Sequence, residues 1–174
     1  MVYLIGGSSH AGKTLLAQKL LERTGYPYVS LDHLKMGFIR SGLTDLTVED
    51  DCKMRCWMWP FVSEMIKTVI ENDQNLIIEG CYIPTEWQDS FYGWMLERIR
   101  CLFVVMSEDY IRRHFPDIVE YANVIETRLN DHPDMEQLIN CSREFLEECK
   151  AHGVPCFVID KEFSVEEMIA AIMK

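Results

Sequence analysis

Residues 2–20 read VYLIGGSSHAGKTLLAQKL. A short apolar run meets Gly6 and Gly7, passes through small and polar side chains, and enters a helix-like pattern at Gly12-Lys13-Thr14. Glycines at 7 and 12 let the backbone turn through conformations that a side chain disfavours, so the N–H groups across Ser8, Ser9, His10 and Ala11 can converge on an anion. A helix beginning near Lys13 adds its N-terminal dipole at the same place. The stretch reads as a strand, a phosphate cradle and a helix. In such a cradle the Lys13 ammonium reaches the β- and γ-phosphates, and the Thr14 hydroxyl ligates Mg2+. The plain alternative is a glycine-rich turn that holds nothing. The strand before it and the helix after it favour the cradle.

At 174 residues, 48% of them hydrophobic, the chain has the size of one domain with a substantial core. A formal net charge of −11, with no run of Lys or Arg, opposes contact with a nucleic-acid backbone. Seven cysteines, an odd number without a C-x-x-C pair, include several inside apolar runs such as CLFVV and CFVI. They read as small core residues in a reducing cytoplasm. The first strand starts at Val2 with no charged leader, and no apolar stretch reaches membrane-spanning length. The expectation is a soluble cytoplasmic protein with neither a nucleic-acid nor a membrane partner, its oligomeric state open.

Four more strand-like runs follow the first: YPYVSLD (26–32), NLIIEG (75–80), CLFVVMS (101–107) and VPCFVID (154–160). Helical patterns separate them. KTLLAQKLLERTG carries apolar residues at helical spacing and stops at Gly25. Thr47-x-x-Asp50 resembles a capping box opening a helical region to about Glu71, which Pro60 should kink or divide. DMEQLINCSREFLEECKAHG, started near Asp131 and Pro133 and stopped at Gly153, is amphipathic, and SVEEMIAAIMK closes the chain. Alternating strands and helices predict an α/β fold, a three-layer α/β/α sandwich with a five-stranded, mostly parallel sheet and ligands at the strands' carboxyl ends. Gly7, Asp32, Glu79 and Ser107 then share one edge. Residues 33–46, with two glycines after a strand end, read as a substrate-side loop.

The pattern Gly7-x-x-x-x-Gly12-Lys13-Thr14, with LDHLKMG, LIIEG and SEDYIRRHF behind it, resembles the small P-loop kinases of the nucleoside and nucleotide kinase group. That group includes adenylate, shikimate and gluconate kinases. The opening is most similar to chloramphenicol phosphotransferase-like proteins and to bacterial proteins labelled adenylate or 2-phosphoglycerate kinase. Element order agrees over nearly the whole chain, motifs only over residues 5–15, 29–34, 76–81 and 102–113.

The resemblance implies a single P-loop kinase domain over residues 1–174, with an acceptor-side segment at about 33–60 and a lid-like segment at about 107–130. It implies ATP and Mg2+ as cofactors and a small-molecule phosphoryl acceptor as partner. Asp32 would take the acceptor's proton or order a water on Mg2+, and Glu79 would hold a metal-bound water or the acceptor. The plain alternatives are a helix-capping aspartate and a surface glutamate. Arg112 or Arg113, which point about 100° apart on a helix, would bring a fork to the transferring phosphoryl group from the lid, with Arg128 on its far side. Solvated helix charges are the alternative for all three. His33, Lys35 and Arg40 are further acceptor-side candidates, the last two for an acidic group. CWMWPF (56–61) reads as core and pocket wall.

A regulatory GTPase would carry N-K-x-D and D-x-x-G motifs, and neither occurs. A motor-type ATPase would want an acidic pair after an apolar strand, which LIIEG lacks. Three readings stay open: transfer to a hydroxyl, transfer to a nucleoside monophosphate, and a nucleotide-binding module that transfers nothing. A monophosphate needs arginines around it, and an alcohol needs a base. With Lys35 and Arg40 the only cations in 33–46, the balance leans towards a hydroxyl.

Overall fold

The computed structural model describes residues 1–121 and 133–174. Its five strands are β1 (Val2–Gly7), β2 (Tyr28–Ser30), β3 (Leu76–Glu79), β4 (Ile99–Met106) and β5 (Cys156–Ile159). They form one sheet in the order β2-β3-β1-β4-β5, and every pairing is parallel. The chain runs from β1 outward to β2, returns to β3, and then crosses β1 to β4. That reversal opens a crevice at the carboxyl end of β1, where open α/β sheets bind ligands.

All six residues of β1 are buried, as a central parallel strand covered on both faces requires. Val2 and Leu4 pack into one core with Ile66 and Val62 of α3 (Asp51–Glu71). Tyr3 and Ile5 pack into a second core with Leu16 and Leu20 of α1 (Lys13–Thr24), which ends on Gly25 in the left-handed region. The expected three-layer α/β/α arrangement follows directly.

Two stretches depart from the sequence reading. β2 stops at Ser30, and α2 (Leu31–Arg40) occupies most of the segment read as a loop. Leu31, Leu34 and Phe38 supply an apolar face at helical spacing, and that burial outweighs the cost of Gly37 in the interior. Asp32 therefore lies in the first turn of a helix, one residue past its start. α3 also runs through Pro60 undivided. Pro60 and Cys56 are both exposed, so the carbonyl that proline leaves without an N–H partner can be hydrated. The Asp50 carboxylate accepts from the Thr47 backbone N–H and hydroxyl, making a turn ahead of α3 in place of a cap on it.

After Glu79 the chain makes a 3-10 turn (Trp87–Ser90) and a short α4 (Gly93–Leu96) before β4. α5 (Glu108–Tyr121) bends at His114, two residues before Pro116. α6 (Met135–His152) is capped by the Asp134 carboxylate, which accepts from Gln137 N–H, and stops at Gly153. α7 (Val165–Ile172) is capped in the same way by Ser164. Among the described residues no helix is long and apolar enough to cross a membrane.

Candidate active site

The loop between β1 and α1 is shaped by close approaches. Gly7 has φ 115°, and a Cβ there would stand 2.0 Å from the Val104 carbonyl oxygen, so only glycine lets the loop leave β1 pressed against β4. Ser8 N–H donates to that same carbonyl at 3.0 Å. Gly12 has φ 79°, and its Cβ would meet the Phe163 ring at 2.6 Å. Ser142 of α6 donates to the buried Ser8 hydroxyl at 2.9 Å, which ties the loop to a distant helix. Ser9 and His10 share a 2.8 Å hydrogen bond, with His10 itself at φ 60°, and Ala11 is buried beneath the loop. Lys13 curls back so that its ammonium donates to the Ser8 carbonyl at 2.6 Å. The loop is a preformed concavity at the start of α1, whose first N–H groups have no partner within the helix.

Charges gather beside it. Glu79 ends β3, is 1% exposed, and accepts a hydrogen bond from the Thr14 hydroxyl at 3.4 Å. Burial alone would push the Lys13 ammonium down, but Cys81, Glu79 and Asp32 around it hold its pKa above the ordinary value. It therefore stays charged across the neutral range. Burial pushes the Cys81 thiol up, so it stands there neutral. Thr14 and Glu79 offer hard oxygen donors, the kind that suits Mg2+, which keeps waters for its other positions. Among the described residues no three His, Cys, Asp or Glu side chains form a metal cage of their own.

From this cradle a cavity of about 1480 Å³ extends towards α2 and α3. Lys13, Thr14, Asp32, His33, Glu79, Lys35 and Arg40 all line it, so the structure brings together the cradle and the acceptor-side candidates. Their states differ. His33 and Arg40 are exposed at the rim, whereas Lys35 is buried and bonded to Asp51 and Tyr82. Burial, then the charges of Asp32 and Asp51, push the Tyr82 phenol far up, so it remains a neutral donor. Sequence reasoning passed over Cys81, Tyr82, Asp51, Arg55 and Phe163, each of which lines the cavity. Cys81 and Tyr82 sit directly after the Glu79-Gly80 strand end, a local cue. Asp51 and Arg55 fall within the acceptor-side segment of about 33–60 without having been singled out, and Phe163 arrives from far along the chain without a cue.

The two arginines of α5 lie elsewhere. Arg112 pairs with Glu108 and Glu136 on the outer surface, both at 2.9 Å. Arg113 donates to the carbonyls of Asp109 and Asp160, at 3.1 and 2.8 Å. Neither lines the cavity in this conformation, to which α5 instead contributes Tyr110, Asp117, Ile118 and Tyr121. Arg128 and the latter part of the lid-like segment lie outside the described residues.

No protein-family model and no curated protein matches this sequence. Solved structures do. A gluconokinase from Sinorhizobium meliloti 1021 superposes with a TM-score of 0.58 at 17% identity, covering 99% of this chain and 89% of its own. A sugar kinase from Janibacter sp. HTCC2649 superposes with a TM-score of 0.56 at 16% identity, covering 97% of this chain and 90% of its own. At such identities the likeness speaks for the fold, and the chain has the fold of the small P-loop kinases.

Proposed function

We propose that this chain transfers the γ-phosphoryl group of ATP to a hydroxyl group of a small molecule. One observation carries the reading: Asp32 lines the same cavity as Lys13, Thr14 and Glu79 and bears electrostatically on Lys13, with room beside the cradle for a second ligand. The acceptor oxygen would form a bond to the γ-phosphorus as the bond from that phosphorus to the β–γ bridging oxygen breaks. The hydroxyl proton passes to the Asp32 carboxylate, and ADP leaves with the phosphorylated acceptor. An alcohol needs such a base because it must lose its proton as it attacks.

Lys13 would hold the β- and γ-phosphates, together with the backbone N–H groups from Ser9 to Thr14, that of Ser8 being taken by the Val104 carbonyl. Mg2+, bound through Thr14 and a water on Glu79, would supply charge neutralisation at the phosphates. The cavity-lining face of α5 would cover the site and keep water from competing for the phosphoryl group. Arg112 and Arg113 could take part only if α5 turned, so their places here give them no share in the step.

The nucleoside monophosphate alternative draws less support. A phosphate-bearing acceptor needs unspent cations, and Lys35 and Arg55 are both paired within the chain. The test is a panel of hydroxyl metabolites incubated with ATP, with products resolved by mass spectrometry. The expected result is ADP and a phosphorylated acceptor in equal amounts. ADP formation that no acceptor stimulates, or tight ATP binding with no turnover, would leave a nucleotide-binding module in place of a kinase.

A further inference from the structure

We infer that the acceptor carries no net negative charge, and that Asp51 sets this preference by occupying Lys35. The inference rests on phosphoryl transfer taking place in the cavity described above. Away from the cradle's backbone N–H groups, an acid is held best by a cation with hydrogen-bond donors to spare. An ammonium has three donors, and Lys35 spends all of them on the protein. They go to the Val48 carbonyl at 3.1 Å, to the Asp51 carboxylate at 2.5 Å and to the Tyr82 hydroxyl at 2.8 Å. Tyr82 in turn donates to the same Asp51 oxygen at 2.8 Å, which closes the group into a ring of three side chains.

Two other cations among the described residues, Arg55 and Arg40, line this wall. Arg55 donates to Glu148 at 2.9 Å, and its guanidinium lies 4.8 Å from the centre of the Phe145 ring. Arg40 is the last residue of α2 and stands exposed at the rim. Facing the cavity with them are the carboxylates of Asp32, Glu79 and Glu144. Lys13 is committed to the phosphates. An acidic acceptor would bring another negative charge among these carboxylates, answered among the described residues only by the rim arginine and by the donors that Arg55 keeps beyond its bond to Glu148. A polyol or an amino alcohol would instead find hydrogen-bond acceptors and negative charge, which suit hydroxyl and ammonium groups.

Asp51 is the point of control because its side chain is 66% exposed while that of Lys35 is 8% exposed. Replacing it with asparagine removes the charge without opening the core and leaves a nearly buried ammonium facing neutral partners. A carboxylate on the acceptor would then restore the lost pairing.

The test is competition among hydroxyl compounds supplied in matched forms: glucitol, gluconate and glucamine, with further trios of neutral, carboxylate and amine members. Each mixture is incubated with ATP and the full chain, and phosphorylated products are counted by mass spectrometry. Wild type should phosphorylate neutral or amine members at least about tenfold faster than their carboxylate counterparts. Asp51→Asn should shift that ratio about tenfold towards the carboxylates, the scale of one charge-assisted contact. Adding Lys35→Gln to that variant should take the gain away, since the effect acts through the lysine. A wild type that prefers the carboxylate member overturns the inference while leaving the kinase reading intact, as does an unchanged ratio in a folded Asp51→Asn. No phosphorylated product from any member overturns both.

Discussion

The cradle and the acceptor wall face each other across one cavity, yet they are built by different means. The cradle is made of backbone: two glycines at positive φ, a carbonyl that takes the Lys13 ammonium, and a strand pressed close enough to exclude a methyl group. The acceptor wall is made of side chains drawn from distant parts of the chain. Lys35 meets Tyr82, 47 residues away, and Arg55 meets Glu148, 93 residues away. Where the backbone makes the site, single atoms matter. Where paired side chains make it, charges can be exchanged at modest cost to the fold, and specificity can change while the chemistry stays.

The largest effect should come from Lys13→Ala. It removes the cation from the outer phosphates, and turnover should fall by about 10³-fold or more while circular dichroism is unchanged. Unaltered turnover would remove the cradle from the account. Stability should then separate the two regions. Gly7→Ala places a methyl 2.0 Å from the Val104 carbonyl oxygen at a φ of 115°. Urea unfolding should show a loss of about 3 kcal/mol, combining overpacking with backbone strain. Asp51→Asn should cost less, about 1 to 2 kcal/mol, because its carboxylate is mostly solvated even though the Lys35 ammonium is left facing neutral partners. Equal losses in the two variants would erase the distinction.

The smallest effect concerns acid. The Lys53 ammonium, then the Thr47 N–H and hydroxyl, hold the Asp50 carboxyl down at about 2 from an ordinary 3.8. A carboxyl depressed in the folded state stabilises the protein above its unfolded pKa and loses that contribution as pH falls towards 2. Wild type should therefore be slightly more stable than Asp50→Asn at pH 6, and the gap should close between pH 4 and 2. A gap that is constant over this range would mean that Asp50 acts through shape alone.

The same contrast explains what the sequence revealed. The cradle was legible because its parts are neighbours: Gly7, Gly12, Lys13 and Thr14 occupy one turn, and their spacing carries the geometry. The five strands were legible as apolar runs, and Gly25 and Gly153 as helix stops. α2 was not, because Gly37 and Gly42 looked like loop residues, while the burial of Leu31 and the packing of Phe38 that hold the helix depend on α3 and the sheet. Pro60 was read as a break because its solvent-facing position is a tertiary fact. The neutralisation of Lys35 was invisible for the same reason: Asp51 reads as a helix-start residue until the fold brings it to the lysine. Arg112 and Arg113 stood out as a pair, but their partners Glu136 and Asp160 come from elsewhere in the chain.

The central claim is that Asp32 acts on the acceptor's proton and not on the nucleotide, and the most direct test measures both properties in one variant. Asp32→Asn should keep its dissociation constant for ATP within a few-fold of wild type while turnover at saturating ATP and acceptor falls by about 10²- to 10⁴-fold, the contribution of a positioned general base. An ATP affinity that collapses while saturated turnover stays normal would contradict the account and make Asp32 a ligand of the nucleotide or its metal.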